Sequence, residues 1–328
     1  MHRCLFLLIL LLASAGANAA EQPTLKVGMI HWIAFSTVNV AEAKGFWKEQ
    51  GLDVQVVNFG SNQELNAALE GKGIQLAIDM AGSWVGMLQD GVPLTLLAET
   101  DWSNGGDKII AKPGFDPKTL KGKKIGVYLD KPSVTFFLDR WLKTQGLGLA
   151  DVEAIEVEPK PMTDNFIAGS FPVIVNYDPE AIRAEREGKG QVVATSKTFP
   201  GIIPEGFVAR TDVLAGISLE TQIKFFKGVV KAAAWIKNDA NRAEWYKILN
   251  AKTFEGEPPY SDADLKQMAE AVTIHDEATS LERNRDGGGL QTYLNEVADF
   301  LKVQNKLKKP FVAKDIVDNR AILAALQP

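Results

Sequence analysis

Trp47-Lys48-Glu49-Gln50-Gly51-Leu52-Asp53-Val54, continued by Ala67-Ala68-Leu69-Glu70-Gly71 and Leu76-Ala77-Ile78-Asp79, is a unit that the chain states twice. The second statement runs from Leu142-Lys143-Thr144-Gln145-Gly146-Leu147 through Asn165-Phe166-Ile167-Ala168-Gly169 to Val173-Ile174-Val175-Asn176-Tyr177-Asp178. Each reads as helix, glycine stop, buried strand, short helix, glycine stop, buried strand and polar loop. Glycine closes a helix well because it takes the left-handed conformation without a Cβ penalty. A solenoid needs three or more stacked units. Two diverged copies therefore predict two similar α/β lobes, and two facing lobes enclose a cleft.

The pattern extends outward from both copies. Before the first, Leu25–Met29 alternates as a strand that ends at His31-Trp32, and a helix is predicted over Thr37–Gln50, stopped by Gly51. Leu52–Asn58 is the next strand, Asn62–Glu70 a helix, Leu76–Asp79 a strand, Ser83–Gln89 a helix and Val92–Glu99 a strand. Such alternation predicts an α/β fold in which each lobe is a mostly parallel, doubly wound sheet. Asp107–Lys112 reads as a strand leaving the first lobe, and Ile125–Tyr128 as the first strand of the second. A helix over Ser133–Gln145 and strands at Ala154–Glu158, Val173–Asn176 and Gln191–Thr195 follow, with a return strand at Phe207–Arg210. After Ser218 nearly everything reads as helix, and these extra C-terminal helices are expected to pack on the first lobe. The predicted division is residues 21–108 plus 208–328 for one lobe and 109–207 for an inserted lobe, joined by two crossings that make a hinge.

The N-terminus predicts an address. His2 and Arg3, the apolar run Leu5–Leu12 and Ala17-Asn18-Ala19 form a secretory signal peptide over Met1–Ala20, cleaved near Ala19. The run is too short to span a bilayer, which takes about 20 residues. Cys4, the one cysteine, precedes that run and leaves with it, so neither a lipid anchor nor a disulfide is expected. A periplasmic location follows. The net charge of −5 comes without any basic run interleaved with aromatics, which excludes nucleic acid as a partner. Lys306–Lys309 reads as a solvated helix end.

Gly45-Phe46-Trp47, Gly51-Leu52-Asp53-Val54, Ala68-Leu69-Glu70-Gly71, Gly91-Val92-Pro93-Leu94, Ser103-Asn104-Gly105-Gly106-Asp107 and Leu120-Lys121-Gly122-Lys123-Lys124-Ile125-Gly126-Val127 occur in an order that names a family. The chain resembles the solute-binding proteins of the nitrate/sulfonate/taurine and thiamine-pyrimidine class of ABC importers. The resemblance covers essentially the whole chain after the signal peptide. It implies a two-lobed type II periplasmic-binding-protein fold, a small-molecule solute held between the lobes, no cofactor, and delivery to an ABC permease with its ATPase.

In open α/β sheets ligands sit beyond the carboxyl ends of strands. That rule selects His31, Trp32, Ser61, Asp79, Gly82, Ser83, Asp101 and Trp102 in the first lobe, and Tyr128, Ser133, Asn176, Tyr177 and Asp178 in the second. Glu205 joins them from the return path. Ser83 and Ser133 each read either as an N-cap or as the start of a helix whose free N–H groups attract an anion. Gly82 would let the loop approach a ligand. Trp32, Trp102 and Tyr177 are the aromatics placed to touch one, whereas Trp47, Trp141, Trp235 and Trp245 sit on helical faces and read as core. Asp79, Asp101 and Asp178 either attract a cationic group or cap their own loops. Asp107 opens a strand and reads as structural. His31 and His275 are too far apart to suggest a metal site, and none is expected.

No arginine stands at a predicted strand end, and Lys131 is the one lysine nearby. A simple oxyanion ligand is therefore disfavoured against an amine-bearing, zwitterionic or aminopyrimidine-like solute. A monomeric binding protein is the leading reading. An enzyme on the same fold, such as a pyrimidine-precursor synthase, would carry a cysteine-rich motif that is missing here. No Ser-His-Asp spacing, phosphate loop or HExxH helix appears. A periplasmic sensor domain remains the other alternative.

Overall fold

The computed structural model describes residues 24–327. The predicted signal peptide, its cleavage near Ala19 and Cys4 lie outside the described residues. The strands are β1 (Leu25–Ile30), β2 (Val54–Phe59), β3 (Leu76–Met80), β4 (Leu94–Ser103), β5 (Asp107–Ala111), β6 (Lys124–Val127), β7 (Glu153–Glu156), β8 (Val173–Tyr177), β9 (Gln191–Thr195), β10 (Pro204–Arg210) and β11 (Val272–Ile274). They form two sheets, of order β11-β4-β10-β3-β1-β2 and β7-β6-β8-β5-β9.

The two orders are one topology. Counting within each lobe, both read second, first, third, incoming, fourth, where the incoming strand is the first one made after the chain crosses over. In the first lobe it is β10, antiparallel to β3 and β4. In the second it is β5, antiparallel to β8 and β9. The remaining shared strands run parallel. The duplication extends to side chains. A Cβ on Gly28 of β1 would lie 2.8 Å from Leu65, and one on Gly126 of β6 would lie 3.0 Å from Met162. Both glycines let the helix after the second strand of their lobe pack close on the sheet.

The chain crosses between sheets at residues 104–106 and again at 196–203, and hydroxyls tie the crossings together. Ser103 and Ser196 share an Oγ···Oγ hydrogen bond of 2.8 Å. Ser196 Oγ also accepts from the Gly105 amide (2.7 Å), and Ser103 Oγ from the Asp107 amide (3.0 Å).

Local sequence explains most element ends. Ser61 caps the helix Asn62–Glu70 by accepting from the Glu64 amide, while Glu64 reaches back to the Gly60 amide. Ser218 caps Leu219–Lys237 in the same way. The helix predicted over Thr37–Gln50 is instead cut short as Ser36–Ala43, because Gly45 turns left-handed at φ 71°. The helices Ala81–Asp90 and Pro132–Thr144 begin earlier than expected, so Ser83 and Ser133 fall inside their first turns and cap nothing.

The C-terminal half departs most from expectation. Val272–Ile274 is a strand that extends the sheet beyond β4 where the sequence reads as helix, whereas Glu277–Asn284 and Arg320–Ala325 are helical in keeping with that reading. Leu219–Lys237 does pack on the first lobe, where Trp47 stacks on Phe225 (5.2 Å, 14°) and donates to its carbonyl at 2.9 Å. Gly228 makes that contact possible, since a Cβ there would lie 2.2 Å from the indole. Helix Gly289–Val303 is different, because it touches both lobes. It packs on Ala81–Asp90 and on Pro132–Thr144, with Phe136 against Tyr293 and Phe300 and an Arg140–Glu296 ion pair.

Candidate ligand-binding cleft

The edges of the two sheets face each other across a small inner cavity of about 20 Å³, room for about one water-sized group, which adjoins an outer chamber of about 330 Å³; Ile30 and Tyr177 form walls of both. Three carboxyl side chains line the inner cavity. Asp79 stands on β3, Asp107 opens β5, and Glu205 follows the first residue of β10. Trp32, Phe35, Tyr128 and Tyr177 supply its aromatic walls. Tyr177 meets Trp32 and Tyr128 edge-on at 5.7 and 4.8 Å.

Each carboxyl is held by a neutral donor. Asn62 donates to Asp79 Oδ2 (2.6 Å) and the Met80 amide to Oδ1 (2.8 Å). The Tyr128 hydroxyl donates to Asp107 Oδ1 at 2.5 Å, and the Trp32 indole to Glu205 Oε2 at 2.7 Å. No lysine or arginine lines this cavity among the described residues. Burial therefore dominates the electrostatics. It pushes Asp79 up to about 7 against the bonds from Met80 and Asn62, and Asp107 up to about 6 against those from Ser103 and Tyr128. Glu205 is driven well above the carboxylate range by burial and then by Asp101, its partner across β10 and β4.

The predicted residues thus divide into groups. Trp32, Asp79, Tyr128, Tyr177 and Glu205 meet at the inner cavity. His31 and Ser61 line the outer chamber, with His31 Nδ1 3.8 Å from Glu257. Asp101 lies behind Glu205, fully buried, and accepts from Thr100. Asn176 is the counterpart of Asp79 in the repeat. Its Oδ1 likewise accepts from the next amide, but its amide group is spent on Pro159 and Thr163. Trp102 faces away from the cavity, edge-on to His275 (4.8 Å) and beneath Arg283. Asp178 is buried on the far side of β8 against Lys108, 2.8 Å away. Burial opposes the Lys108 charge, but Asp178 and Glu185 outweigh it and raise the ammonium's pKa, whereas for Asp178 burial prevails over Lys108 and pushes the carboxyl up to about 7.

Gly82, Ser83 and Ser133 form a seam between the lobes. The two serine hydroxyls hydrogen-bond each other at 3.0 Å, and a Cβ on Gly82 would lie 2.6 Å from the Ser133 amide. Gly82 thus admits the opposite lobe's backbone. Replacing it with valine should cost the closed arrangement about 1–3 kcal/mol, the usual range for overpacking. Small-angle scattering should show a larger radius of gyration at unchanged secondary structure. An unchanged radius would mean that the seam does not hold the lobes together.

Sequence reading missed several wall residues. Asp107 reads as structural in the sequence, although Gly105-Gly106 before it signals a close approach. A Cβ on Gly106 would lie 2.4 Å from Trp32. Glu158, Lys160, Glu180, Phe254, Glu257 and Tyr260 complete the outer chamber, and the last three come from the C-terminal half. Among the described residues no helix is long and apolar enough to cross a membrane, and no three His, Cys, Asp or Glu side chains are grouped to hold a metal ion.

Known proteins share this architecture. The alkanesulfonate-binding protein SsuA from Xanthomonas axonopodis pv. citri, solved with MOPS bound, superposes with a TM-score of 0.72 at 18% identity, covering 92% of this chain and 100% of that one. The fold is therefore that of two-lobed type II periplasmic binding proteins. Among sequence relatives, the putative binding protein YtlA of Bacillus subtilis is 27% identical over 72% of this chain and 73% of its own length. The bicarbonate-binding protein CmpA of Synechococcus sp. is 26% identical over 80% of this chain, which spans only 66% of CmpA. The profile of the NMT1-like family matches residues 18–250. Since that match takes in most of both lobes, the chain belongs to the NMT1-like family.

Proposed function

We propose that this protein is the extracytoplasmic solute-binding component of an ABC importer, and that its inner cavity receives the amine-bearing end of a small organic solute. The observation that carries the reading is the wall of Asp79, Asp107 and Glu205 among aromatics, with no lysine or arginine beside them. A cation entering there gains carboxylate partners and the faces of Trp32 and Tyr177, whose cation–π attraction is worth about 0.5–2 kcal/mol. An oxyanion gains neither. The site differs in this respect from what the names of CmpA and SsuA describe, bicarbonate and alkanesulfonate binding. The outer chamber, with His31, Lys160, Glu158 and Glu180, would hold the solute's polar remainder. Partners would be a permease and its ATPase, the location would be periplasmic, and the working unit a monomer.

A thermal-shift screen tests the class. A ligand that binds only the folded state stabilises it by about 2.7 kcal/mol at a hundredfold excess over its dissociation constant. Primary amines, amino acids and aminopyrimidines should raise the melting temperature by several degrees, while bicarbonate, nitrate and alkanesulfonates should not. A shift confined to the anions would overturn the cationic reading.

A further inference from the structure

The inner cavity has a charge balance that a cationic solute must alter. Asp79, Asp107, Glu205 and Asp101 are each at most 2% exposed. Their polar neighbours in the cavity are the neutral donors Asn62, Trp32, Tyr128 and Thr100. Burying several unpaired carboxylates costs far more than a fold can offset, so such groups hold protons instead.

The Asp101–Glu205 pair offers a place for one proton. These residues are register partners on β4 and β10. Asp101 Oδ2 accepts from Thr100, while its Oδ1 is buried without any ordinary donor. A proton on Glu205 supplies that missing donor, as an acid–carboxylate hydrogen bond. The arrangement leaves Asp101 charged and Glu205 neutral beneath Trp32.

The surrounding charged groups are committed elsewhere. Lys108, next to Asp107 on β5, pairs with Asp178 and Glu185. Arg283 pairs with Glu99, beside His275, on the Trp102 side of β4. Across the cavity β6 and β8 contribute only Tyr128 and Tyr177, and Glu158, Glu180 and Lys160 belong to the outer chamber.

We infer that a cationic head enters the inner cavity by displacing a proton held among Asp79, Asp107 and the Asp101–Glu205 pair, so that solute capture releases a proton and weakens as the surroundings acidify. The inference rests on the amine-binding reading above. It adds that the cavity exchanges one positive charge for another, which keeps its burial tolerable both empty and filled. Solute would then be held at neutral pH and loosened by local acidity.

Calorimetry on the wild-type protein decides it. Methylammonium and benzylamine are titrated at pH 5.5, 6.5 and 7.5, where both stay charged, in the amine-free buffers phosphate and cacodylate. The two buffers differ in ionisation enthalpy, so the difference in heats counts protons. About one proton should leave per amine bound at pH 6.5. Affinity should fall about tenfold per pH unit on the acid side, the slope that linkage assigns to one proton. Binding with identical heats in both buffers and a flat pH profile would overturn the proton exchange while leaving the amine reading intact. Binding of neither amine, with nitrate or methanesulfonate bound instead, would overturn both. Asp79→Asn should lower the proton count and flatten the profile, and it is read only if the variant unfolds cooperatively.

Discussion

Asp178→Ala should destabilise the protein by about 3 kcal/mol and leave solute affinity per folded molecule within about threefold. The position stands at the end of a parallel strand beside Tyr177, which is why the sequence marks it as a ligand contact. In the structure its side chain points away from the cavity, and Asp178 Oδ1 accepts from Lys108 Nζ at 2.8 Å. Removing one member of a buried ion pair leaves the other without compensation, a loss larger than the net worth of the pair. Lys108 keeps Glu185 at 2.9 Å, which holds the expected loss to the low end of the range. The double variant Lys108→Met/Asp178→Ala should lose less than the sum of the two single variants, because neither charge is then stranded. Urea denaturation of the four proteins measures this coupling. A stable Asp178→Ala protein that no longer binds solute would return the residue to the binding site.

The same pair of neighbours shows what the sequence could and could not disclose. Lobe topology was legible because glycine stops and strand alternation are local signals, and the repeat made each half a check on the other. Trp32, Asp79, Tyr128 and Tyr177 were legible because parallel strands deliver their carboxyl ends to one edge. Asp107 was not, and the reason is topological. β5 and β10 run antiparallel to their neighbours, so their first residues reach the edge where the other strands end. The register sets Asp107 opposite Tyr177 and Glu205 opposite Met80. Strand direction depends on the crossover and is not written locally. Trp102 failed for another reason. β4 runs on to Ser103, and its later residues serve the edge where β11 joins, so Trp102 meets His275 instead of the inner cavity. Ser83 and Ser133 were placed at helix starts, but the lobes close at those starts and the two hydroxyls take each other as partners. The outer chamber's Phe254, Glu257 and Tyr260 follow from where a helical tail packs, which periodicity leaves open.

The cavity carboxyls also predict that the solute-free protein loses stability as pH rises from 5.5 to 7.5, against the trend of proteins whose carboxylates are salt-bridged. Asp79 and Asp107 start from 3.8 and are pushed up to about 7 and about 6 by burial. Below about pH 4 both states hold these protons and the groups are neutral bystanders. Between there and pH 7 the unfolded chain has released them while the folded protein retains them. The folded state thus binds more protons, and stability falls with rising pH. Above 7 both states are ionised and the curve levels. His275 works the other way. Burial lowers it to about 3 from 6.5, so its contribution rises with pH up to 6.5 and then stops. The surface carboxylates that ion pairs hold low, such as Asp212 beside Arg210, act only below about pH 4. From 6.5 to 7.5 the cavity groups are therefore unopposed, and Glu99 and Asp178, which burial also pushes up to about 7, act in the same direction. Each proton retained across one pH unit is worth about 1.4 kcal/mol; Asp79 is about half protonated over this interval and Asp107 mostly ionised, so the two together contribute a loss of about 1 kcal/mol and a degree or two of melting temperature. Thermal unfolding in buffers free of amines reads it directly. Asp79→Asn, which cannot ionise, should flatten the slope. A melting temperature that climbs through neutrality would mean that these carboxyls are charged in the folded protein, with water or a counter-ion reaching the cavity to support them.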